Sequence, residues 1–170
     1  MTIQSPIVSS AKPRKPDYRQ DVYAWALWQS EALRQGDATS LDWDNLAEEI
    51  ADLGSSQLRE MENRLVTILE HLLKYEFGLG RDPARGWKRT VIVQKADLAR
   101  LLKRNPSLAA RLDEIAGEVY PDARRNALAA FEEYEPDMLG FYTGALPLVL
   151  PYEAMALLDP DSVPVPKGRV

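Results

Sequence analysis

Apolar residues recur along this chain at intervals of three and four, the spacing that stacks side chains on one face of an α-helix. Tyr18, Val22, Trp25, Trp28 and Ala32 form the first stripe, with Asp17 placed to cap it and Gly36 to end it. After a polar connection over 37–41, Trp43, Leu46, Ile50 and Leu53 repeat the pattern behind a possible cap at Asp42. Gly54, Ser55 and Ser56 interrupt, and Leu58, Met61, Leu65, Ile68, Leu72 and Tyr75 resume. Extending the Trp43 stripe would turn Gln57 and Glu60 inward. The phase therefore slips by one residue, about 100° of helix rotation. That slip predicts a kink or a tight break near Gly54 rather than a straight, uninterrupted helix.

The helix that follows the slip carries a second apolar row, Val66, Leu69 and Leu73, which marks it as the most buried element. Gly78, Gly80 and Pro83 predict a loop. Trp87, Val91, Gln94, Leu98 and Leu101 make the next stripe, which stops before Asn105 and Pro106. Leu108, Leu112, Ile115 and Val119 follow, then Pro121, where a kink or break is expected because proline lacks the backbone donor. Ala123, Ala127, Ala130 and Tyr134 form a slimmer stripe. Residues 135–150 read as irregular and 151–158 as a short last helix. No stretch alternates with period two for long enough to make a strand. The reading is an all-α bundle of about five to seven helices over residues 17–158. A disordered leader is expected over 1–16 and a proline-rich extended tail over 159–170.

Composition narrows the chemistry. The 170 residues include no cysteine and one histidine, and the formal charge is −5. Thiolate metal sites, cysteine nucleophiles, disulfide frameworks and three-histidine metal centres are excluded. The longest apolar run, at 146–150, is far too short to cross a bilayer and contains Pro147. No apolar signal segment opens the chain, so no membrane partner is expected and the default location is the cytoplasm. Neither a GxSxG elbow nor a phosphate-binding GxxxxGK[ST] loop is present, and no cofactor is implied.

Charge is segregated. Residues 37–76 hold ten acids against three bases, and residues 81–111 hold nine bases against two acids. On a helical wheel Lys88, Arg89, Lys95, Arg100, Lys103 and Arg104 cover the side opposite Trp87. This is the face a nucleic acid would use, or the solvated face of an amphipathic helix. No aromatic residue is interleaved for base stacking. A second cluster pairs Glu48, Glu49 and Asp52 with Arg64, His71 and Lys74. Carboxylates and an imidazole that converge can hold a metal or exchange protons. Ile68 stands where a di-iron bundle would carry glutamate three before His71. Ion pairing of those acids with Arg59, Arg64 or Lys74 is the simpler expectation, and no metal ligand set is assigned.

One segment is more specific. Leu41-Asp42-Trp43-Asp44-Asn45-Leu46-Ala47-Glu48-Glu49-Ile50, with Leu53-Gly54 behind it, resembles the bacterial family catalogued as domain of unknown function 29. Tyr18, Asp21, Tyr23-Ala24-Trp25, Leu72-Leu73-Lys74-Tyr75, Trp87 and Pro106-Ser107-Leu108 follow in the same order, so the resemblance spans about 17–158. It implies a small all-helical protein with no established activity and no catalytic residues to carry over. By elimination, the functional expectation is a protein-interaction module or homo-oligomer. Nucleic-acid binding through residues 88–104 is the alternative, and a carboxylate–histidine site comes after it.

Overall fold

The computed structural model describes residues 15–78 and 81–167. The leader expected over 1–16 therefore lies almost wholly outside the described residues, as do Gly80 and the end of the tail. Six α-helices follow in order: α1 Val22–Gln35, α2 Trp43–Phe77, α3 Arg81–Arg104, α4 Pro106–Ala109, α5 Leu112–Tyr134 and α6 Leu139–Ala145. Short 3₁₀ segments occupy Pro136–Met138 and Ala154–Leu157, and no strand occurs among the described residues. The all-α class is as expected.

The chain divides into two compact units, one up to Leu53 and one from Gly54 onward, with the boundary inside α2. The first unit is a helical hairpin. Asp21, not Asp17, caps α1 by accepting from the Ala24 N–H at 2.9 Å. Gly36 ends α1 with φ 70°, a left-handed conformation that glycine adopts without a Cβ penalty. The Asp37 N–H then reaches the Ala32 carbonyl at 2.9 Å and the Gly36 N–H that of Leu33 at 3.2 Å, which completes a Schellman stop. Inside the hairpin Trp25, Gln29, Ala32 and Leu41 are buried. The Trp25 indole donates to Asp42, and the Gln29 side chain accepts from the Asp42 N–H at 2.8 Å. The Asp42 carboxylate thus binds Trp25 and Asn45 side chains.

The second unit holds the large core. Met61, Leu65, Ile68, Leu69, Leu72 and Leu73 of α2 meet Val91, Leu98, Leu101 and Leu102 of α3, with Ile115, Tyr120, Ala123, Ala127 and Phe131 of α5. Burial of each large aliphatic side chain stabilises by about 1.5–3 kcal/mol relative to leaving it in water. The Phe131 and Tyr142 rings stack at 3.9 Å and fasten α6 to α5. Tyr152 donates to Glu76 at 2.8 Å, and Lys167 binds the same carboxylate at 2.8 Å. The last described segment therefore lies against α2.

Five expectations are corrected. Helix α2 runs through Gly54 without interruption, so no break separates the two stripes. Pro121 lies inside α5, which continues for thirteen residues beyond it to Tyr134, so of the expected kink or break the break is not made. Tyr134 is exposed, and Phe131 takes the core position. Residues 135–150 contain α6, and the last helix is the 3₁₀ turn Ala154–Leu157. Pro83, expected in a loop, falls in the first turn of α3, where a missing N–H is harmless.

Candidate functional site

The six residues of the acid–histidine cluster all sit on α2, and the structure groups them in two sets. Of Glu48, Glu49 and Asp52, Glu49 accepts from the Tyr18 hydroxyl at 2.5 Å, and the charges of the other two also act on it. That hydrogen bond, with the nearby carboxylate charges, raises the phenol's pKa. Arg64, His71 and Lys74 belong to the second unit. Arg64 binds Glu60 at 2.8 Å and Asp97 at 3.0 Å, and Lys74 binds Glu70 at 2.5 Å. Arg64 and Lys74 take acids of their own unit. His71 Nδ1 faces the Thr67 carbonyl at 2.9 Å. Burial, and then the Lys74 charge, lower the His71 pKa despite Glu70 beside it. Among the described residues no three histidine or carboxylate groups are placed to hold a metal ion.

The basic face of α3 is mostly as the wheel drew it, with one correction. Lys88, Arg89, Arg100, Lys103 and Arg104 are exposed, whereas Lys95 is 1% exposed. Its ammonium donates to three backbone carbonyls, Ala156 at 2.6 Å, Ser162 at 2.5 Å and Asp159 at 3.4 Å. Burial pushes its pKa down to about 8, against the pull of Asp159. The sequence contained the signal for this: Lys95 stands four after Val91 and three before Leu98, inside a buried row. Its charge made it read as surface. Beside α3, a groove of about 480 Å³ is lined by Glu60, Arg64, Asp97, Arg100, Lys103 and Arg104. Asp97 binds both Arg64 and Arg100, so part of the positive charge is neutralised within the groove.

The most distinctive surface lies in the hairpin. Trp43 is 61% exposed and Ile50 68%, although their stripe reads as core. On α1 two residues facing away from Trp25 are also apolar, with Tyr23 76% and Leu27 57% exposed. Both helices therefore carry an apolar row on their outer side, on a hairpin rich in acids. Sequence periodicity finds such rows but does not say what covers them.

The described residues form two helical units, the second with a large apolar core, and the chain is all-α. The chain belongs to the family described as domain of unknown function DUF29, which it matches over residues 18–163. No curated protein and no solved structure matches it. No described helix is long and apolar enough to cross a membrane.

Proposed function

We propose that this chain is a protein-binding module whose α1–α2 hairpin offers its outer apolar rows to a helix of another chain. The observation that carries this reading is the exposure of Tyr23, Leu27, Trp43 and Ile50 at helical spacing. Apolar rows rimmed by polar groups are the usual mark of a protein contact. Aromatic side chains such as Tyr23 and Trp43 are the residue types that anchor such contacts. The hairpin as a whole is acidic, which favours a positively charged partner by steering it during approach.

A photo-crosslinking amino acid at Leu27 and, separately, at Ile50 tests the reading in cells that make the full chain. Irradiation is expected to give protein adducts of discrete mass from both positions. The same probe at Arg125, an exposed position on α5, is expected to give none. Absence of adducts at Leu27 and Ile50 overturns the proposal.

A further inference from the structure

We propose that the groove between α5 and α6 is a binding site for a small organic acid, with Arg124 taking its carboxylate and Leu128, Ala129 and Leu139 lying along its apolar body. The groove has a volume of about 400 Å³. That is near the lower end for small-molecule sites, roughly 300–1,000 Å³. It lies wholly within the second unit, so the inference is independent of the hairpin and of what docks there.

Arg124 is short of partners. One N–H of its guanidinium donates to the Thr143 carbonyl of α6 at 3.0 Å. Its Nε is buried and has no hydrogen-bond partner among the described residues. No carboxylate among the described residues pairs with it. A buried donor left unsatisfied is costly, and more so when the group is charged. Capping α6 through Thr143 accounts for one donor and leaves the cation without a counter-charge. Arg125 lines the same groove but is held by Asp122. The Pro121 end of the groove therefore offers one uncompensated positive charge, which matches a monoanion.

The remaining lining sets the ligand's direction. A guanidinium takes a carboxylate through two parallel N–H bonds, and the carboxylate supplies both the counter-charge and the missing acceptor. Glu132, eight positions beyond Arg124, lies about 12 Å further along α5. It repels a carboxylate from that end and so fixes the orientation. Between these charges the wall is apolar, with Leu128 and Ala129 from α5 and Leu139 from α6. A hydrocarbon or aryl body buries itself against that wall and gains affinity by leaving water.

Octanoate, titrated below its micelle concentration into the isotope-labelled full chain, is the probe for nuclear magnetic resonance. Saturable shifts are expected at the amides of Leu128, Ala129, Leu139 and Thr143, with Kd on the order of 1 mM or tighter for a ligand of this size. Octanol has the same body without the charge and should bind about tenfold or more weakly. Arg124→Lys keeps a cation for Thr143 and loses the planar fork. Its urea midpoint should stay near wild type while octanoate binds about tenfold or more weakly. Ala129 is exposed, so Ala129→Glu leaves the fold intact and sets a like charge against the ligand. Octanoate binding should be lost in that variant and octanol binding kept.

Equal affinity for octanoate and octanol, or unchanged octanoate affinity in either variant, overturns the proposal. So does the absence of any saturable shift, or shifts confined to the exposed apolar rows of the hairpin. Protein adducts from the crosslinker at Arg125 would mean that the groove takes its carboxylate from a protein side chain, and would overturn the small-acid reading.

Discussion

The Lys95 ammonium stands 2.5 Å from the backbone carbonyl of Ser162, sixty-seven positions further along the chain. With Ala156 and Asp159 it satisfies all three ammonium donors, so a cation sits in the interior without a carboxylate in direct contact. The socket ties the segment after Leu157 to α3. Lys95→Met keeps the apolar stem and removes the donors, leaving carbonyls with no partner. Stability should fall by about 1–3 kcal/mol. Amide exchange should accelerate over 156–162 and stay near wild type in the hairpin. Unchanged exchange over 156–162 would show that Lys95 does not hold that segment.

Gly54 bears on the continuity of α2. The helix passes through it, and a Cβ added there meets nothing within 4 Å. Glycine in a helix interior is less favourable than alanine by about 0.5–1 kcal/mol, because it surrenders more backbone freedom on folding. Gly54→Ala should therefore raise the stability of the chain by about that amount in urea unfolding. A turn at this position would give no gain, or a loss.

What the sequence makes legible depends on how many faces of a helix are apolar. From Met61 to Leu73, two adjacent rows leave no doubt which side is dry, and all six leading residues are buried. From Trp43 to Leu53 a single row identifies a helix correctly. It cannot reveal that the row is uncovered, because burial is a property of neighbours distant in the chain. Phe131 displaced Tyr134 from the core for a related reason: Tyr142 on α6 supplies the ring it stacks on. The acid–histidine cluster was visible as residue types on one helix. Which residues engage which was set by Tyr18, Glu60, Glu70 and Asp97.

The contrast between the two halves of α2 gives a direct comparison. Ile50 and Ile68 are the same residue type on the same helix, one 68% exposed and the other fully buried. Ile68→Ala should cost about 2–5 kcal/mol, the sum of lost burial and a residual cavity. Ile50→Ser should change stability by less than about 0.5 kcal/mol, as exposed positions away from special contacts do. Both are read from denaturant midpoints on dilute protein, so that association does not contribute. A large loss from Ile50→Ser would mean that the row is covered within the monomer, and would remove the basis for the docking surface.

The lone histidine sets a pH dependence whose sign follows from its surroundings. Burial and Lys74 place the His71 pKa in the folded chain below its ordinary 6.5. The unfolded chain then binds the proton more tightly, so folding is favoured while the ring is neutral. The His71 contribution is fully present above pH 6.5. It begins to decline as pH falls past 6.5 and is exhausted once pH drops below the folded value. His71→Gln retains an amide donor for the Thr67 carbonyl and removes the titration. The variant should therefore lose less stability than the wild type on going from pH 7 to pH 5, measured as paired urea midpoints in one buffer series. Parallel curves for the two proteins would mean that His71 keeps its ordinary affinity for protons in the fold, and that the Lys74–Glu70 pair beside it neutralises itself.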